Sequence, residues 1–281
     1  MNLAIFFIFG LFLGSFLNNV ALRLENDESF IFSRSKCPKC KKKLKWYNLI
    51  PLLSYIIQLG KCSSCREKIS IRYPLTEIFA GIFTFGLAKV IFTIYNFHLL
   101  SSFIIFLYYL SFISAFFVLA LIDFKTKYII EKLIYFMVAV WLIFQAIFYF
   151  VPVLKIAFIG AWSEFFEQFL KFPNSEFIGQ IFTAFIAALP FLFLFAITLG
   201  WGVGLGDSKV AFVMGLFFKP GDFFLSLVMA IFLGGIVGVI ILLKTQKFKQ
   251  EIPYVPFLFA GTLVAMFWGE MLITNYFKIF R

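Results

Sequence analysis

Two aspartates and four cysteines carry most of the chemistry this sequence can offer. Asp123 stands in "ALIDFKTKYII" and Asp207 in "GWGVGLGDSKVAF", each at the end of a long apolar run. An ionised group at membrane depth costs about 2.5–3.5 kcal/mol on insertion scales, so an acid kept there is paired, functional, or marks a span end beside lysines. Two carboxylates held a few ångströms apart cannot both ionise comfortably, and one keeps its proton. The ionised member can then activate water, while the protonated one stabilises an oxyanion and feeds a leaving amine. Glycines at 202, 204 and 206 precede Asp207. They let a substrate backbone approach and the chain bend into a site, although such a run serves helix packing equally well.

The cysteines lie in "CPKCKKKL" and "CSSCREKI" as Cys37, Cys40, Cys62 and Cys65. Each unit reads Cys-x-x-Cys followed by an apolar residue, Leu44 or Ile69, and the two form a small internal repeat. Four thiolates in two such knuckles can close a tetrahedral zinc site of the structural kind, without an open position for substrate. A redox pair or incidental thiols are the alternatives; a reducing cytosol disfavours disulfides, and the neighbouring lysines stabilise thiolates. The lone histidine, His98, sits in an uncharged loop and reads as a surface residue. Serine–histidine, cysteine–histidine and HExxH zinc proteases each need a histidine beside their nucleophile or metal, and none can be built here.

The elements that position these groups belong to a membrane protein. Of 281 residues, 62% are hydrophobic and only 14% charged, far from a soluble chain. Apolar windows of about 20 residues, the length that crosses hydrocarbon, recur along the sequence. They predict an all-α polytopic fold of about eight transmembrane helices, near 3–22, 74–96, 101–122, 128–152, 177–199, 208–219, 223–243 and 254–277. The first lacks a basic leader and a small-residue cleavage site, so it reads as a mature helix rather than a secretory signal. The sixth is half a bilayer long, which is tolerable only where protein or a water-filled cavity covers its free backbone groups.

Twelve lysines and arginines crowd the loop 23–73, which the positive-inside rule places in the cytosol. With eight spans, nineteen basic residues fall on that side against five outside, and both termini are expected outside. Asp123 and Asp207, two spans apart, then face the same side. The domains are a first helix (1–22), a cytoplasmic zinc-ribbon-like loop (23–73) and a helical membrane domain (74–281). Residues 153–176 place Phe158, Trp162, Phe165, Phe166, Phe169 and Leu170 at helical spacing opposite polar residues, the pattern of an interfacial helix. The net charge of +11 is a topology signal with attraction to anionic membrane lipids, and calls for no nucleic acid.

Four stretches carry a resemblance: "GSFLNNVALRL", "WYNLIPLLSYIIQLGKCSSCREKISIRYPLTEIFAG", "GVGLGDSKV" and "IPYVPFLFAG". Together they resemble the prepilin peptidases, bifunctional leader peptidases and N-methyltransferases of type IV pilus and type II secretion systems, and the third fits that family's GxGxGDxK motif. The resemblance implies a bacterial inner-membrane enzyme with Asp123 and Asp207 as a catalytic dyad and Cys37, Cys40, Cys62 and Cys65 as zinc ligands. It implies prepilin or pseudopilin substrates, cut after a glycine at the membrane face, and methylation from S-adenosylmethionine. No nucleotide-binding fingerprint supports that second activity; Asn18, Asn19, Arg23, Arg72, Tyr73 and Glu77, flanking the loop, are its candidates. Two positions depart from the family: Lys125 replaces a second acid, and Ile130–Glu131 a Pro-Asp pair. Two other classes are open, a membrane thiol oxidoreductase using both cysteine pairs and a non-catalytic assembly factor that binds pilin helices.

Overall fold

The computed structural model describes residues 3–28, 35–37, 39–94, 99–150, 176–199, 204–246 and 252–279. The stretch 153–176, His98 and Gly202 lie wholly or almost wholly outside these residues, Glu176 opening a described helix. Among the described residues every regular element is helical, apart from two isolated β-bridges in the cysteine loop.

The helices are α1 (Ala4–Glu25), α2 (Leu53–Ile57), α3 (Arg72–Ile94), α4 (Leu99–Thr126), α5 (Glu131–Phe150), α6 (Glu176–Thr198), α7 (Leu205–Phe217), α8 (Pro220–Thr245) and α9 (Val255–Ile279). Six of them, α1, α3, α4, α5, α6 and α8, are long and apolar enough to cross a membrane. The sixth and eighth expected spans fold as α7 and α9. At 13 residues α7 is about 20 Å long, short of the roughly 30 Å hydrocarbon layer. In α9 the continuous apolar stretch is Val255–Gly269. The fourth span starts at Glu131, three residues later than the hydropathy suggests, with that acid in its first turn.

The chain divides into two compact units, Met1–Ile94 and Tyr95–Arg281. In the first, α1 packs on α3 through small residues. A side chain at Gly10 would meet the Ala80 carbonyl and Gly81 at 2.7 Å, and one at Gly14 would meet Ala80 at the same distance. Close backbone approach of this kind replaces the hydrophobic drive that lipid cannot supply between helices.

The second unit is organised around α4, whose spanning window is 72% buried against 11% for α8. Phe112 stacks on Phe217 of α7 with ring centroids 4.2 Å apart, and Phe116 meets Phe259 of α9 edge-on at 5.4 Å. Helix α7 packs closely on α6 at Gly215, where an added Cβ would lie 2.5 Å from the Ala184 backbone. Helix α9 packs on α8 at Gly261, against the Ser226 carbonyl, with Ser226 and Thr262 hydroxyls joined at 3.1 Å beside it. These contacts fix α4, α7 and α9 against their neighbours; Asp123 lies at the C-terminal end of α4 and Asp207 at the N-terminal end of α7.

Candidate active site and metal centre

Asp123 lies in the last turn of α4 and is only 5% exposed. Its carboxylate accepts a hydrogen bond from the Val255 N–H at 3.1 Å, across 132 positions of sequence. That N–H belongs to the first turn of α9, where the first backbone donors of a helix have no intrahelical partner and the helix dipole favours an anion. Asp207 is the third residue of α7, and its carboxylate reaches back to accept the Gly204 N–H at 3.3 Å. Burial first, and then the charge of Asp123, pushes the Asp207 carboxyl up to about 6. Tyr254, the residue before α9, lies within electrostatic reach of Asp207. The two carboxylates therefore lie within electrostatic reach of each other, with Asp123 bonded to the start of α9 and Asp207 in reach of Tyr254 beside it.

Of the three glycines, Gly204 and Gly206 are described. Gly204 has extended backbone with negative φ and serves as the N-cap of α7. Gly206 is a packing position: a Cβ there would come within 2.6 Å of the Ile129 side chain. Lys209 forms an ion pair with Glu131, joining α7 to the start of α5, with both side chains about half exposed. Lys125 is exposed. Sequence reasoning gave no role to Tyr254 and Val255. The signal was present in Pro253 and Pro256, which bracket a helix start whose N–H groups need an acceptor.

In the first unit the repeat of sequence is a repeat of structure. Cys37 N–H donates to the Lys42 carbonyl at 3.0 Å, and Cys62 N–H to that of Glu67 at 2.8 Å. Lys41 N–H donates to the Cys37 carbonyl and Arg66 N–H to the Cys62 carbonyl, both at 2.9 Å. Lys41 and Arg66 share the left-handed conformation, at φ 56° and 58°. Each knuckle is closed by a bridge, Lys36 to Lys43 and Lys61 to Lys68.

All four sulfurs fall within 4.8 Å of one another, and no disulfide joins them. A tetrahedron with zinc–sulfur bonds of about 2.3 Å has edges of about 3.8 Å, and the Cys37–Cys65 separation is 3.9 Å. The backbone N–H groups of Cys65 and Ser64 lower the Cys62 thiol to about 7, while against the backbone N–H of Glu67 burial and then the neighbouring thiols push Cys65 up to about 11, as expected of sulfurs crowded round one centre. One common centre for four sulfurs suits a structural metal rather than two separate redox pairs.

The candidates for the second activity are tied largely to their neighbours. Asn18 donates to Thr76 Oγ1 and Asn19 to the Ser15 carbonyl, each at 2.9 Å. Glu77, 7% exposed, accepts the Leu52 N–H at 2.9 Å. Tyr73 lies within electrostatic reach of Cys37 and Glu25, and Arg23 and Arg72 stand near the loop ends of α1 and α3.

The comparisons with known proteins agree with this architecture. The family model of the bacterial peptidase A24 N-terminal domain matches residues 8–91, which take in most of α1, the cysteine loop and most of α3. The prepilin leader peptidase/N-methyltransferase of Bacillus subtilis (strain 168) is 32% identical over 283 residues, covering 99% of this chain and 98% of the relative. The chain belongs to the prepilin leader peptidase/N-methyltransferase family. The family member of Pseudomonas aeruginosa is 25% identical over 96% of this chain and 92% of its own length. That of Myxococcus xanthus reaches 45% identity over 80 residues, 28% of this chain and 24% of the relative. No solved structure matches.

Proposed function

We propose that the chain is a membrane aspartic endopeptidase that removes the leader of prepilins or pseudopilins and N-methylates the new terminus. The observation that supports this reading is that Asp123, bonded to the first turn of α9, and Asp207 lie within electrostatic reach of each other. Two neighbouring carboxylates that keep one proton between them contain both a base and an acid. The ionised member takes a proton from water as that water attacks the scissile carbonyl. The protonated member donates to the carbonyl oxygen as charge develops there, and the proton then passes to the leaving amine. The Val255 N–H steadies Asp123 in its ionised form. The Gly204 N–H fixes the orientation of Asp207 at the head of a helix too short to cross.

The membrane domain 74–281 carries this peptidase activity, and the loop 23–73 is associated with methylation. Cys37, Cys40, Cys62 and Cys65 would hold zinc, which supplies a fixed cross-link between the two knuckles and no chemistry on substrate. The methyl donor is S-adenosylmethionine. The enzyme works in the bacterial inner membrane with the loop and the dyad on the cytoplasmic side, as its basic residues suggest. The decisive test is cleavage of a cognate prepilin in membranes bearing Asp123→Asn or Asp207→Asn. Both variants are expected to be inactive, and wild-type cleavage by either would overturn the dyad.

A further inference from the structure

The cysteine loop presents an apolar face that the peptidase reading does not use. In α2, Leu53, Ile56 and Ile57 stand at i, i+3 and i+4, the spacing of one helix face. They are 56%, 64% and 78% exposed, and Trp46, in the 3-10 turn just before, is 77% exposed. The face is not a loose excursion. Gln58 donates to Asn48 at 3.1 Å, and Asn48 to Ser63 at 3.4 Å, which ties the 3-10 turn and α2 to the second cysteine knuckle. Leu52, held at φ 60°, donates its N–H to Glu77 of α3.

That last bond fixes the height of the face. Glu77 is five residues into the spanning helix α3, about 7.5 Å along its axis. A segment bonded to Glu77 therefore lies at the level of the headgroup layer, where tryptophan and amphipathic helices settle. The adjacent run 41–45 contributes four exposed lysines, Lys41, Lys42, Lys43 and Lys45. Cations beside an apolar face suit an anionic lipid surface.

We infer that Trp46 and the Leu53–Ile56–Ile57 face of α2 insert into the headgroup boundary of an anionic bilayer, with the 41–45 lysines on its phosphates, docking the cysteine loop on the membrane. The inference is independent of the dyad: it concerns where the loop rests, not what is cleaved.

The test uses the full-length, zinc-loaded protein in bilayers made with lipids brominated near the headgroup end of their chains. The emission of Trp46 is obtained as the difference between wild type and Trp46→Phe, with zinc content confirming that the variant folds. Docking predicts a blue-shifted difference signal that is quenched by the brominated lipid, and quenched less by about half when phosphatidylglycerol is replaced by phosphatidylcholine. A water-like, unquenched signal would overturn the inference. So would a blue-shifted signal that brominated lipid leaves untouched, since protein rather than lipid would then cover the face. Equal quenching in both bilayers would overturn the anionic preference.

Discussion

The metal centre and the carboxylate pair are held together in opposite ways. The cysteine ligands span 28 positions and come from two copies of one short turn, each closed by its own backbone hydrogen bonds. The contact that fixes Asp123 spans 132 positions, and what brings the chain there is the packing of α4, α7, α8 and α9. The first region is ordered locally around four sulfurs that could hold one metal ion; the second is ordered globally by close helix contacts. Structural zinc sites carry folding free energy themselves, whereas a dyad at helix ends inherits its geometry from the core. The two regions should therefore fail separately.

The largest expected effect is at the dyad. Asp123→Asn or Asp207→Asn is expected to slow leader cleavage by about 10²–10⁴-fold, as loss of a general acid or base does. Zinc content and methylation of an already cleaved pilin should stay at wild-type levels, which metal analysis and transfer of labelled methyl groups would measure. Loss of methylation along with cleavage would merge what the comparison separates.

Next comes the metal centre. Cys37→Ser with Cys40→Ser, or chelation, is expected to release the zinc, open the loop to protease and impair methylation. Cleavage should change by no more than roughly threefold, as expected of sites without shared partners. A collapse of cleavage on chelation would mean that the first unit props up the second.

The same contrast explains what could be read from the sequence. The cysteine cluster was legible because its geometry is encoded within each knuckle: the spacing, the repeat and the apolar residue after it are all local. The spans were legible from hydropathy, with α7 correctly short. The loci of Asp123 and Asp207 at span ends followed from the same count. What could not be read was which backbone groups they meet, because the Val255 N–H reaches Asp123 only through tertiary packing. The glycines before Asp207 were ambiguous for a related reason. A bend and a close packing contact leave the same letter in the sequence, and only the neighbour, Ile129 beside Gly206, decides between them.

A smaller effect should follow from crowding the helix contact behind the dyad. Gly261→Ala puts a methyl group into the Ser226 carbonyl, and backbone has little room to yield. Overpacking of this kind costs about 1–3 kcal/mol. A lowered thermal midpoint, with reduced cleavage and unchanged zinc, is the expected result, because α9 carries the N–H that holds Asp123. An unaltered midpoint would show that α8 and α9 separate easily, and the global half of the comparison would lose its basis.

The smallest effect is expected at Lys209. Its pairing with Glu131 joins the first turn of α7 to that of α5, two residues from Asp207. Both side chains are half exposed, and ion pairs in that setting contribute little. Lys209→Met is therefore expected to reduce cleavage by no more than about fivefold, through kcat and with KM little changed. Glu131→Gln should produce the same loss, and the double variant should be no worse than either single one. If Lys209 took part in the chemistry, its removal would cost about 10²-fold or more and Glu131→Gln would not reproduce it. The double-variant cycle thus separates a lysine that holds the helix in register from one that touches the reaction.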